Sequence, residues 1–157
     1  MSDRSVFTDD EWKAVTEAPL RITLALVAVG PHGPISVVKE AAAGARQMAR
    51  PTEHGPADDL MAEITRAAEG HEARHDVQAH AGKTPEEVVN QALGDLEPAA
   101  RALDKLAPEE ATQVRSWLLD IAKAVAAAAK SITPAEQDVL DKLTATFGPT
   151  SAGTWPT

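Results

Sequence analysis

Residues 84–106 read TPEEVVNQALGDLEPAARALDKL, and this stretch decides the fold class. Thr84 is followed at once by Pro85 and, three residues on, by Glu87. That order supplies a hydroxyl cap, a proline whose φ suits the first helical position, and a carboxylate that reaches back to the cap amide. Val88, Val89, Ala92, Leu93, Ala99, Leu103 and Leu106 then recur at helical spacing, with a bend or restart predicted at Pro98.

The same punctuation repeats outward in both directions. Downstream, Pro108-Glu109-Glu110 opens a long helix carrying Val114, Trp117, Leu118, Ile121 and Val125. Thr133-Pro134-Ala135-Glu136 repeats the capping pattern before Val139, Leu140, Leu143 and Phe147, and Gly148 is the predicted stop. Upstream, Thr8 and Glu11 have capping-box spacing, and the helix they start runs to about Glu17, where Pro19 either kinks it or begins a second segment ending near Gly30. Trp12, Val15, Pro19, Ile22, Leu26 and Val29 trace one stripe, while Leu20, Leu24 and Val27 cover the other side of the later turns. A segment apolar all round belongs in the middle of a bundle. Trp12 and Trp117 are read as core.

A helix from Pro34 or Ser36 to about Ala49, and another from Asp58 with Leu60, Met61, Ile64, Ala67 and Ala68, complete a set of about six. Asp58 and Asp59 suit the positive end of the helix they open. No alternating β-branched run or paired turn signal predicts a sheet. The chain therefore reads as all-α, a bundle of about six helices with no sheet, forming one domain over residues 1–148 with a flexible tail over 149–157.

Composition narrows the function classes. Of 157 residues 31 are alanine, as many as Leu, Ile, Val and Phe together. Small residues such as Ala41, Ala42, Ala43, Gly44 and Ala45 let helix axes approach closely but bury little area each, so a homodimer that covers further apolar surface is expected. The lack of cysteine excludes disulfides, thiolate-held iron–sulfur clusters and a thiol nucleophile. Net charge is −9, and residues 51–100 alone hold 11 acidic against 3 basic side chains. An acidic middle disfavours nucleic acid and anionic membrane surfaces as partners, and suits a cation or a basic protein. The longest apolar stretch, Leu20 to Val29, is far short of the roughly 20 residues a membrane span needs. The opening MSDRSVFTDDEW lacks the basic-then-apolar layout of a signal peptide, so the expected location is cytoplasmic.

One string carries a catalytic pattern. His71-Glu72-Ala73-Arg74-His75 matches HExxH, in which two histidines one helical turn apart share a metal and the glutamate acts as base toward bound water. His80 follows His75 by five residues, which is not the spacing of the elongated metzincin pattern, so a third ligand must come from elsewhere. Glu72-Ala73-Arg74-His75 also has the ExxH spacing of carboxylate-bridged di-iron bundles, but no second such unit exists. Glu40 and Glu63 are candidate oxygen donors, and zinc or iron would be the metal. Gly30-Pro31-His32-Gly33-Pro34 is a turn and not a phosphate loop, because it lacks the lysine and its prolines remove amide donors.

Ser131-Ile132-Thr133-Pro134-Ala135-Glu136, continuing through Leu140, Leu143 and Gly148, resembles the closing segment of tellurite-resistance-like helical domains. The stretch from Leu26 to Glu40, an apolar helix joined by a Gly/Pro turn to a Glu-bearing helix, looks like their internal repeat. The resemblance implies a compact α bundle, in some relatives associated with acidic metal sites and stress responses, and it implies a role for Glu40. His32 stands where the family's Asp-Gly turn has its aspartate. Taken together, the residues predict an interaction or structural module that self-associates, with another protein as a further candidate partner. The alternative is a metal-binding protein or metal-dependent hydrolase with His71 and His75 as ligands and Glu72 as base.

Overall fold

The computed structural model describes residues 2–30, 34–49, 55–70, 83–128 and 132–148. Among them are a short 3-10 turn at Arg4–Val6 and six α-helices: α1 (Asp9–Val29), α2 (Pro34–Met48), α3 (Asp58–Gly70), α4 (Pro85–Leu103), α5 (Pro108–Ala127) and α6 (Pro134–Phe147). No strand occurs among the described residues. The described residues form an all-α bundle of six helices. Among the described residues, no helix is long and apolar enough to cross a membrane.

Helix starts follow the local chemistry of the sequence. At Thr8, Thr84 and Thr133 the hydroxyl accepts from the amide three residues on, and the glutamate there accepts from the cap amide. Each box thus pairs two amides that a helix start would otherwise leave unbonded. Both internal prolines are absorbed into continuous helices instead of restarting them. Pro98 and Gly94 one turn before it are both exposed, so water can take the carbonyl that proline leaves unbonded. Pro19 is buried, and its own carbonyl, distinct from the Val15 carbonyl that its missing N–H leaves, accepts from Thr23 Oγ1 at 2.9 Å. Helix α6 stops before Gly148 as the glycine suggested, but by a different geometry. Gly148 has φ −63° and ψ 171°, an extended conformation open to any residue, and its amide donates to the Thr144 carbonyl at 2.7 Å.

Helix α1 packs against all five others, most extensively against α4. Val15, Ala18, Ile22, Ala25 and Leu26 are its buried contribution to one continuous apolar cluster that draws on every helix. Arg21 interrupts the apolar run without breaking the packing, because its guanidinium reaches Glu17 on its own helix at 2.7 Å and Asp95 on α4 at 2.8 Å. Helix α2 lies mainly on α5 and also on α1, α3 lies on α1, and α6 rests on α5, α4 and α1. Gly44 shows how closely the small residues of α2 let the axes approach. A methyl group there would lie 3.0 Å from both Thr23 Oγ1 of α1 and Val125 Cγ2 of α5.

Trp117 is buried, but Trp12 is not fully in the core. Its ring is half-buried at the rim, 6.0 Å from the Phe7 ring and 5.9 Å from the Arg4 guanidinium carbon. Trp12 thus packs against the core cluster from its edge, next to the buried Phe7.

Candidate functional site

Among the described residues few polar side chains are buried, and most of these join helices. Gln113 on α5 accepts from the buried Ala57 amide at 2.8 Å and donates to Asp58 Oδ1 at 2.7 Å, so the start of α3 is capped from another helix. Arg115, also on α5, donates to the Ala100 carbonyl at 2.8 Å, to Asp104 at 2.7 Å and to the Thr146 carbonyl at 3.4 Å. One guanidinium thereby sits at the negative ends of both α4 and α6. Glu110 accepts from the Ser2 amide at 2.7 Å and from the Ser2 hydroxyl. That hydroxyl, and then the amide, hold its carboxyl below the usual range against the opposing effect of burial.

Glu136 departs from this pattern. Its Oε2 completes the capping box by accepting from the Thr133 amide at 2.7 Å, while Oε1 is buried without a hydrogen-bond partner. The position explains the burial, because Glu136 precedes Val139, Leu143 and Phe147 on the inward stripe of α6. Glu87, the equivalent residue of α4, lies off the stripe of Val88, Val89, Ala92 and Leu96 and is exposed.

Glu40 meets Glu136 at the end of α1. It belongs to the buried row Glu40, Gly44, Met48 of α2 and is 1% exposed, as is Glu136. A methyl group on Gly30 would lie 3.0 Å from Glu40 Oε2 and 3.3 Å from both Glu40 Oε1 and Glu136 Oε1. The two carboxyl groups therefore lie within about two such distances of each other, around the space a Gly30 side chain would take. A side chain at position 30 would press on both carboxyl groups, while the backbone itself is unstrained, since its φ of −70° is an ordinary one.

The remaining sequence candidates fall elsewhere. Glu63 is half-buried on α3 and lines an open surface hollow with Asp3, Arg4, Ser5, Phe7 and Asp9, beside the start of α1. Glu40 is at the other end of the same helix, which at 21 residues is about 30 Å long. The structure thus does not bring Glu40 and Glu63 together. His71, Glu72, His75 and His80, the turn residues Pro31 to Gly33, and the tail from residue 149 lie outside the described residues. Among the described residues, no three His, Asp or Glu side chains are grouped so as to hold a metal ion.

Glu136 was legible as a cap and not as a partner of Glu40. The available signal was its place on the Val139–Leu143–Phe147 stripe, which predicts a buried carboxylate but not what it faces. Arg115 and Gln113 carried no such motif. Comparisons with protein-family models, curated proteins and solved structures returned no match to this chain.

Proposed function

We propose that this protein is a small cytoplasmic helical-bundle module that acts through its surface, in self-association and in contact with a protein partner, and not by catalysis. The observation that supports this reading is the use made of its buried polar chemistry. Arg115, Gln113 and Glu110 are each engaged in holding one element against another, with donors and acceptors matched to backbone ends. Such groups specify the fold and supply no acid, base or nucleophile to a substrate. A place beside tellurite-resistance-like helical domains belongs to the same proposal and rests on residues 131–148 and the Leu26-to-Glu40 stretch.

The alanine-rich composition and the acidic middle segment favour a second copy of the chain or a basic protein as partner. Sedimentation equilibrium tests the first. A species of twice 16.5 kDa supports self-association, and a monomer at every concentration overturns it. Elemental analysis after dialysis against Zn²⁺ and Fe²⁺ tests the alternative that uses His71, Glu72 and His75. Stoichiometric metal that disappears in a His71→Ala/His75→Ala variant, together with peptide hydrolysis, would replace the non-catalytic reading.

A further inference from the structure

The chain ahead of α1 is fastened at one point. Residues 2–7 form a strap that runs from the start of α5, where Ser2 meets Glu110, to the start of α1, with the 3-10 turn Arg4–Val6 between. Phe7 seats the strap in the core cluster at 8% exposure, and Val6 packs against the same cluster. Among the described residues, the strap's hydrogen bonds beyond itself and the adjacent first turn of α1 are those from Ser2 to Glu110. Both oxygens of that carboxyl accept, Oε1 from the Ser2 amide at 2.7 Å and Oε2 from the Ser2 hydroxyl. A proton on the group turns an acceptor into a donor and removes the charge that strengthens both bonds.

We propose that residues 2–7 are an acid-released latch: the Ser2–Glu110 contact holds it shut, protonation of Glu110 opens it while the helices stay packed, and opening uncovers the aromatic pair Phe7 and Trp12. Three carboxyl groups held below their ordinary range, Asp3, Glu11 and Glu110, all lie at this end of the molecule. For Glu110 the Ser2 hydroxyl and then the Ser2 amide lower it, burial opposes them, and the Ala107 amide and the α-amino charge add less. The other charged groups around the strap are engaged with one another or stand open to water. Asp3 accepts from Ser5, Arg4 meets Asp9 at 3.4 Å, Glu11 meets Lys105 at 2.6 Å, and Glu63 stands across the open hollow that the strap lines. The latch is thus fully shut above the ordinary glutamate value of 4.5, and it opens as pH falls through the lower value that Glu110 has when shut. Freeing a chain end breaks only the contacts of that end, so it precedes unfolding of helices fixed on several sides. The latch does not depend on the proposed module function.

The tryptophans allow strap and bundle to be read separately. Trp12 lies 5.9 Å from the Arg4 guanidinium carbon and 6.0 Å from the Phe7 ring, so it senses the strap, whereas Trp117 is buried in the core and senses the bundle. The test is ¹⁹F NMR of the full chain labelled with 5-fluorotryptophan, titrated from pH 7 to pH 3, with signals assigned by Trp12→Phe and Trp155→Phe. The Trp12 signal is expected to move below about pH 4.5, at a pH where the Trp117 signal still holds its native position. Ser2→Ala removes one hydrogen bond to a charged group, so it should raise the opening equilibrium at pH 5 by at least about tenfold and move the step to higher pH. Glu110→Gln should leave Trp12 in its open position already at pH 7 and make that position independent of pH, with the Trp117 signal confirming a folded bundle. Glu109→Gln, at the exposed neighbouring position, should titrate as the wild type does.

Three results would overturn the proposal: Trp12 and Trp117 moving together, which means that acid unfolds the bundle as one unit; a Trp12 step that persists in Glu110→Gln; or a step whose pH is unchanged in Ser2→Ala. Amide exchange supplies an independent readout, since the Phe7 amide bonds the Arg4 carbonyl at 3.1 Å only while the turn is intact. Its protection relative to the amides of α4 should fall in Glu110→Gln at pH 7, and equal protection in variant and wild type would also count against the latch.

Discussion

Glycine has opposite consequences at two positions of this bundle. Gly44 sits where α2 crosses α1 and α5, and neither neighbour can yield cheaply. Thr23 Oγ1 is held by its bond to the Pro19 carbonyl, and Val125 is packed in the core. Gly44→Ala should therefore lower stability by about 1–2 kcal/mol in urea unfolding, with overpacking outweighing the gain in helix propensity. Gly94 lies mid-helix on α4 with nothing within 4 Å of a methyl group placed there. Gly94→Ala should raise stability by about 0.5–1 kcal/mol in the same assay. Equal effects of the two substitutions would contradict the packing described at Gly44. The alanine and glycine run of α2 was readable as a region of close approach, but nothing in it singled out position 44.

Individual helices differ in whether their starts are satisfied from within. α1, α4 and α6 carry their own capping boxes, and all three were evident from Thr and Glu spacing. The start of α3 depends on Gln113, whose amide reaches across from α5 to the buried Ala57 N–H. Gln113→Ala would leave that donor without its partner, at a cost of about 1–3 kcal/mol. Amide hydrogen exchange should localise the effect, with the first turn of α3 opening faster and α6 unchanged; uniform acceleration along the chain would argue against a local cap. The acidic pair Asp58-Asp59 marked this helix start correctly, yet Asp58 is also drawn into bonds with the Gly55 amide and Gln113. Periodicity placed the helices that run through both internal prolines, but the proline rule taken alone would have divided them.

The molecule as a whole should be sensitive to acid. Asp3, Glu11 and Glu110 are each held below their ordinary values: Asp3 by the Ser5 hydroxyl and amide, Glu11 by Lys105 and the Thr8 amide, and Glu110 by the Ser2 hydroxyl and amide. A carboxyl with a depressed folded-state pKa contributes stability above its unfolded value, and that contribution is lost as pH falls through the folded value. Thermal midpoints should thus hold steady down to the ordinary glutamate value of 4.5 and decline below it. Glu110→Gln should make the decline shallower, and an unchanged slope would remove Glu110 from the acid response. The sequence by itself determined the all-α class, the helix starts at the threonine caps, the buried stripes and the central place of α1. Those signals act over one or two helical turns, where backbone geometry alone decides which residues meet. Only the tertiary structure decided that Gln113 caps α3, that Arg115 joins the ends of α4 and α6, and that Glu40 and Glu136 meet over Gly30. Among the described residues three helices lie between α2 and α6 along the chain, so that meeting is set by how the faces pack around α1, and no local pattern encodes it.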